Sequence, residues 1–578
     1  MRSGARDGVL ALAVVGLVLL AYALTLHPDV AGGDSGELVG AVGGGGVIHP
    51  PGYPVYSLLG QVFAHLPFGN LAWRINVMSA VCDAVAAGVL FLATLRCTES
   101  RGAALVTAAL FAFAPGIWRY AISAEVFALN NLFVALLFLV AVLYEATRER
   151  RYALWGAFIL GLGLSNHHTI LFTAVPLAAW VLWVGRGDLV RPRVLGLLVL
   201  ALGAGLTPYL YLPLAAGRHA PVTWGAANTW SGFWTHVLRR EYGTFQLAPT
   251  GIAGPGPTAM ETLGAWAEDA LDEIGWAGLA LALGGIVVSA REAVKGRLRP
   301  GLVAIAAVVV SVGVMVALGN LPVGDLLHRG IVARFWQQPT IFLCLLCGLG
   351  FAATAPWMRE SFAMPAAATI AVVAFGLRFP AMDYSRSTLV RQYGAEYLRV
   401  APPGALLLTK GDLITNTMRY LQLAENMRPD VRVVDQELLG FRWMGPEVLR
   451  RFPDVVLPGP RYAPREPDGF TMKELLDANA GPRPILVCGG IKAGDLTADA
   501  TYGQWPFGFC DEMRSGSLPV NLDAWVEESE AALPRIDFAG QPRPQGSWED
   551  IVWGDYWAVR QARAAHLITV AGRDETRR

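Results

Sequence analysis

The sequence predicts a polytopic α-helical membrane protein of about eleven crossings followed by a soluble α/β domain, and three observations carry that expectation. Of 578 residues, 54% are hydrophobic and only 16% are charged, where soluble domains run nearer ~25% charged. Mean hydropathy is +0.42. The apolar residues are also clustered: runs of about 17–22 follow one another from Gly8 to roughly Pro380, most of them able to cross a hydrocarbon core of ~30 Å. From Ala381 onward the composition becomes that of a soluble domain, so the expected division is 1–380 and 381–578.

The runs place spans at 8–26, 71–95, 102–117, 128–146, 153–165, 168–184, 194–213, 272–290, 300–318, 338–354 and 361–379. The first follows Arg2 and Arg6 but exceeds a signal-peptide core of ~7–15 residues and lacks a small-x-small cleavage site, so it reads as a retained helix. Charge orients the array. With the N-terminus cytoplasmic, the inner segments hold Arg2, Arg6, Arg96, Arg101, Arg148, Arg150, Arg151, Arg186, Arg191, Arg193, Arg291, Lys295, Arg297, Arg299 and Arg359. The short outer loops hold only Arg119, Arg329 and Arg334, and a longer one holds Arg218, Arg239 and Arg240. This is the positive-inside pattern of a cytoplasmic (inner) membrane protein. An odd number of crossings then leaves the C-terminal domain outside, in the periplasm or its equivalent. Lys+Arg and Asp+Glu both number 46, so no basic bias points to nucleic acid. Six cysteines are too few for a disulfide scaffold. Cys82, Cys344 and Cys347 fall inside apolar runs and Cys97 just past one, while Cys488 and Cys510 are free to pair in an oxidising compartment.

The outer side also carries the long segments, 27–70 and 214–271, and all nine histidines lie there or at its boundary. The first loop reads Gly32-Gly33-Asp34-Ser35-Gly36-Glu37, then His49-Pro50-Pro51-Gly52-Tyr53-Pro54. If a helix starts near Ser35, Asp34 or Ser35 is its N-cap and Glu37 the capping-box partner. The alternative is a general base whose pKa is raised by partial desolvation at the membrane surface. The prolines stiffen the approach to a juxtamembrane helix from Tyr53 to His65 and leave His49 as a candidate substrate contact. The second loop sets Glu125 near Arg119, where the two are placed to pair. In the third, Asn166-His167-His168 suits hydrogen bonds to a sugar or phosphate better than metal binding, because adjacent histidines rarely chelate one ion. The fourth loop contains Trp224, and its stretch from Trp230 through His236, Arg239 and Arg240 to Tyr242 suits an amphipathic interfacial helix. In the fifth, Arg329 and Arg334 suit a lipid-linked phosphate, or else snorkel or pair with an acid.

Six ordered pieces resemble the transmembrane protein 260 family of protein O-mannosyltransferases, a branch of the GT-C glycosyltransferases. They are Gly32-Gly33-Asp34-Ser35-Gly36-Glu37-Leu38, His49-Pro50-Pro51-Gly52-Tyr53-Pro54-Val55-Tyr56, Trp73-Arg74-Ile75-Asn76, Ala124-Glu125-Val126-Phe127-Ala128-Leu129-Asn130, Ser165-Asn166-His167-His168-Thr169 and Arg239-Arg240-Glu241-Tyr242-Gly243. They cover roughly 8–350. One departure is Ala226, where the family pattern usually has Asp after Trp224-Gly225. The resemblance implies a GT-C-like fold and inverting transfer of a sugar, mannose in the best-understood members, from a polyprenyl- or dolichyl-phosphate donor to Ser/Thr of exported proteins on the outer leaflet. It implies Asp34 as the base, with Glu37 as second choice, and Arg334 with Arg329 on the departing phosphate. It further implies a donor pocket shaped by His49, Glu125, Asn166, His167 and His168. The loop residues Trp224, Trp230, His236, Arg239, Arg240 and Tyr242 then serve the acceptor or the interface. No cofactor and no obligatory metal are expected.

The C-terminal part reads as α/β: a strand from Gly404 to its exit at Asp412, helical spacing from Asn416 to Asn426, and further strands at Val431–Asp435 and Pro484–Gly489. Acceptor binding and a packing role are both compatible with it. Two rival functions remain at this point: transfer to a lipid or polysaccharide, and transport of lipid-linked sugars. The one-sided clustering of polar sites favours transfer over transport.

Overall fold

The computed structural model describes residues 2–244, 246, 256–295, 300–354, 360–481, 483–516 and 520–573. The expected inner-side charges Arg297, Arg299 and Arg359 lie outside them. The chain forms two compact units, and the boundary differs from the expected one. The first comprises Met1–His27, His49–Leu214 and Thr229–Ser385; the second comprises Pro28–Ile48, Ala215–Asn228 and Arg386–Arg578. Parts of both long loops therefore belong to the second unit.

The first unit is helical, with a helix at every expected span. By length and composition, seven helices among the described residues are able to cross a membrane: Ala5–Thr25, Leu71–Thr98, Phe127–Thr147, Ala259–Val294, Pro300–Leu318, Leu326–Ala353 and Ser361–Met382. Two bent pairs, Arg101–Ala112 with Pro115–Ala121 (65°) and Pro192–Gly205 with Thr207–Ala216 (40°), raise the number to nine. Pro115 and Pro208 each open the second member of a pair. Proline tolerates a helix start but removes a hydrogen bond and clashes inside one, which accounts for the breaks. The remaining expected spans fall in Arg150–Leu164 and Leu171–Val184, helices of 15 and 14 residues, shorter than the ~20 needed for a perpendicular crossing. Polar side chains tie the helices together. The Asn131 amide donates to Asp83 Oδ1 at 3.1 Å and to Gln337 Oε1 at 2.7 Å, all three residues being buried. Such bonds stabilise helix association where water cannot compete.

The expected juxtamembrane helix is present as Pro54–Ala64. The expected amphipathic stretch to Tyr242 is helical only over Trp230–Val237, because Arg239 turns to φ 52°. Non-glycine residues adopt that conformation at a cost and not within a helix.

The second unit is built on a five-stranded sheet. Its strands are β1 (Leu406–Thr409), β2 (Arg432–Asp435), β3 (Ile485–Cys488), β4 (Tyr502–Phe507) and β5 (Cys510–Ser515), in spatial order β2-β1-β3-β5-β4. β1 runs parallel to β2 and β3, while β5 is antiparallel to β3 and β4. The partly parallel sheet expected from the sequence is thus present, and a C-terminal hairpin is added to it. All four residues of the central β1 are buried, as a strand covered on both faces requires. Cys488 and Cys510 face each other across β3 and β5 and form a disulfide. Helix Asp412–Ala424 links β1 to β2, and helix Ser35–Gly44, from the first loop, lies against it. Their approach is close: a Cβ on Gly36 would stand 2.7 Å from the carbonyl of Asn416.

Candidate active site

The two expected catalytic acids belong to the second unit. Gly33, at φ 70°, makes the turn that delivers Asp34 to the start of helix Ser35–Gly44. Asp34 occupies the N-cap position but makes no side-chain capping bond. Its backbone is already helical (φ −76°, ψ −12°), whereas a capping residue needs an extended conformation to reach the N2 or N3 amide. The capping-box reading of Asp34 and Glu37 is therefore corrected. The Ser35 hydroxyl instead accepts from the Ala31 amide at 3.3 Å. Asp34 is half-buried, and Glu37, one helical turn on, is buried.

Beside this helix stand residues to which the sequence alone assigned no functional role. Asp412, Asn416 and Arg419 lie on helix Asp412–Ala424, and Asp435 closes β2. With Glu37 and Trp224 they line a cavity of about 170 Å³. Asp412 is exposed at the helix start, yet the surrounding protein, with the charges of Asp34, Asp435, Glu37 and Glu437, pushes its carboxyl up to about 7. Asp435 is fixed by the Glu437 and Leu438 amides, which donate to its Oδ1 at 2.8 and 3.0 Å. The available signal was the break Lys410-Gly411-Asp412 between a buried strand and a helix, the usual place for polar groups in an α/β sheet. Trp224 packs on Phe441 and Trp443, with ring centroids at 6.2 and 5.8 Å. Trp224 belongs to the second unit and Trp230 to the first.

The first unit gathers most of the expected donor-binding residues around Tyr53 and Phe127. Tyr53 Oη is 3.0 Å from His49 Nε2, and its ring stacks on His167 at 5.7 Å. His167 also packs on Phe127 and Phe335, at 5.2 and 6.1 Å. The Gln338 amide donates to the Thr169 hydroxyl at 2.9 Å, and that hydroxyl is 2.7 Å from His167 Nδ1. The Thr169 amide also donates to Nδ1 at 3.3 Å. Nδ1 is thereby the acceptor, so the proton of a neutral His167 sits on Nε2. Burial, with Arg239, His168, Arg334 and His49 near it, holds this imidazole well below its usual range and hence neutral. His168 Nε2 is 2.8 Å from the Tyr209 hydroxyl, and the Asn166 amide donates to the Val126 carbonyl at 3.1 Å.

Glu125 lies 3.7 Å from Arg334; the pairing found for it is with that residue. The Arg334 guanidinium also stands over Phe127 and Phe335, at 5.6 and 5.5 Å. Arg329 is placed differently. It bonds Glu268 at 2.6 Å in an exposed ion pair. Of the expected interface residues, Trp230 is 78% exposed and Arg240 is exposed, whereas His236 is buried. Arg239 stands 5.3 Å from the ring of Tyr242, which is 6.5 Å from that of His49. Arg239 and Tyr242 thus stand with the histidine cluster. Among the described residues, no three His, Cys, Asp or Glu side chains gather as a metal-ligand set.

Known proteins share this arrangement of sequence. Residues 34–190 match the protein O-mannosyl-transferase TMEM260 N-terminal domain, and 390–452 match the TMEM260-associated domain 2. The protein O-mannosyl-transferase TMEM260 of Mus musculus is 33% identical over 99% of this chain and 83% of its own length. The chain belongs to the TMEM260 family of protein O-mannosyl-transferases. The Dictyostelium discoideum protein O-mannosyl-transferase tmem260 is 30% identical over 95% of this chain and 72% of its own. Among solved structures, ArnT from Cupriavidus metallidurans bound to undecaprenyl phosphate superposes with TM-score 0.54 and 15% identity, over 89% of this chain and 98% of ArnT. Its apo state gives 0.53 and 15%, over 83% and 92%. The fold is therefore that of the GT-C membrane glycosyltransferases, and this TMEM260-family chain is a glycosyltransferase. Both acids of the Gly-Gly-Asp-Ser-Gly-Glu motif and the Asp412 helix fall inside TMEM260 domain matches.

Proposed function

We propose that this chain transfers mannose from a polyprenyl-phosphate donor to Ser/Thr hydroxyls of exported proteins, with inversion, on the non-cytoplasmic face of the inner membrane. The observation that carries this reading is the 33% identity to a protein O-mannosyl-transferase, which runs over 99% of the chain. The Cys488–Cys510 disulfide supports an oxidising compartment for the second unit. The phosphate lipid bound to ArnT supports a lipid-linked donor.

In this proposal Asp34 takes the proton of the acceptor hydroxyl as that oxygen bonds to the anomeric carbon. The bond from that carbon to the phosphate oxygen breaks, and the lipid phosphate leaves with the electron pair. Glu37 is the alternative base. Arg334, held by Glu125, meets the departing phosphate, because a planar guanidinium matches phosphate oxygens in pairs. His167 donates from Nε2 to the donor, and His49, Asn166 and His168 shape its surroundings. Arg329, paired with exposed Glu268, is the second candidate for the phosphate. No cofactor is invoked, and charge neutralisation by arginine makes a metal dispensable; activity lost to a chelator and restored by Mg²⁺ or Mn²⁺ contradicts that element.

The test is label transfer in detergent from synthetic polyprenyl-phosphate mannose to a Ser/Thr peptide. Product is expected with the intact chain, and Asp34→Asn is expected to lower turnover by about 10²–10⁴-fold without unfolding the protein. Undiminished turnover in that variant removes Asp34 from the mechanism. Product with a lipid or polysaccharide acceptor alone replaces the protein acceptor, and absence of any product returns a transport role to consideration.

A further inference from the structure

The second unit's cavity has a composition that the transfer chemistry does not by itself require. Its wall carries carboxylates on Glu37, Asp412 and Asp435, an amide on Asn416, a guanidinium on Arg419 and an indole on Trp224. Arg419 is only 8% exposed, and its Nε has no hydrogen-bond partner among the described residues. A buried donor without an acceptor is one that a hydroxyl of a bound molecule can satisfy.

We propose that this cavity is a binding subsite for a neutral hexose. Size is the first argument: about 170 Å³ is below the ~300–1,000 Å³ of sites for drug-sized ligands and suits a single sugar ring. Charge is the second. Four lining carboxylates, Glu447 with the three above, disfavour a phosphate or an acidic ligand, while Arg419, Arg450 and Arg451 disfavour a cation. A neutral polyol satisfies both sets: its hydroxyls donate to the carboxylates and accept from Asn416 and Arg419. Trp224 offers an apolar face to the C–H side of the ring, and its packing on Phe441 and Trp443 holds that face in place. This inference deepens the transferase reading by giving its sugar a place. The hexose is either the one carried by the lipid donor or one already present on the acceptor.

The experiment is equilibrium binding of methyl α-mannopyranoside to the full-length protein in detergent, followed by saturation-transfer NMR and by tryptophan fluorescence. Saturable binding is expected, with affinity lowered at least about tenfold in Asn416→Ala and in Arg419→Gln, about the loss of one good hydrogen bond to a charged or amide donor. Inorganic phosphate is expected not to compete. A short-chain polyprenyl-phosphate mannose that displaces the mannoside assigns the site to the donor sugar; a mannosylated peptide that does so assigns it to the acceptor. Asn416→Ala, a truncation that adds no atoms at a buried helix position, keeps the test valid if Arg419→Gln fails to fold. No saturable binding, binding unchanged in Asn416→Ala, or displacement by phosphate overturns the subsite. These outcomes are separable from failure of the transferase reading: sugar binding without transfer retains the site and removes the reading, and transfer without sugar binding does the reverse.

Discussion

Glu125 stands 3.7 Å from Arg334, and both side chains are largely withdrawn from water, at 7% and 19% exposure. Removing one partner of such a pair leaves an uncompensated charge, which costs about 3–5 kcal/mol for well-buried pairs. The spacing here places the expected loss at the low end. Arg334→Ala is expected to lower thermal stability in detergent, and adding Glu125→Gln is expected to recover most of it. Turnover is expected to stay low in both, because the phosphate contact is gone. A double variant no more stable than Arg334→Ala shows that the two charges do not support each other.

Gly36 meets the carbonyl of Asn416 so closely that a Cβ would stand 2.7 Å away. Gly36→Ala is expected to destabilise the second unit by about 1–3 kcal/mol through overpacking, read as faster proteolysis of that unit. Gly40→Ala, whose Cβ would meet a Val222 methyl at 3.3 Å, is expected to be milder. Equal behaviour of the two variants contradicts helix-to-helix contact at Gly36.

Asp412 has a carboxyl raised to about 7 in the folded protein, against ~3.9 in an unfolded chain. The folded state therefore binds the proton more tightly. Its contribution to stability is complete below pH ~4 and is lost as pH rises through about 7. Asp412→Asn is expected to flatten the unfolding midpoint between pH 5 and 8 relative to the parent protein. Superimposable pH profiles place the Asp412 carboxyl in the ordinary range.

Cys488 and Cys510 close a loop with sequence separation 22 between β3 and β5. Replacing both by alanine is expected to cost about 3 kcal/mol, seen as a lower denaturation midpoint. An identical midpoint for the oxidised parent and the double variant shows that the bond contributes nothing to stability.

Much of this protein was legible in the chain itself. The length and clustering of the apolar runs located a helix at each expected span, and the buried strands Leu406–Thr409, Arg432–Asp435 and Ile485–Cys488 announced the parallel half of the sheet. The hairpin Tyr502–Phe507 and Cys510–Ser515 escaped because most of its residues are only partly buried, so no apolar alternation marks it.

Local sequence determined the helices, the central strands and the identity of the acidic motif, since each depends on neighbours within one turn or one strand. The tertiary structure alone decided that Asp34 and Glu37 belong with Asp412, Asn416 and Arg419, that Glu125 pairs with Arg334, and that Thr169 sets the proton of His167. Most of those partners lie far apart along the chain. Their meeting depends on which buried faces and close backbone approaches the fold permits, and no short-range pattern encodes that.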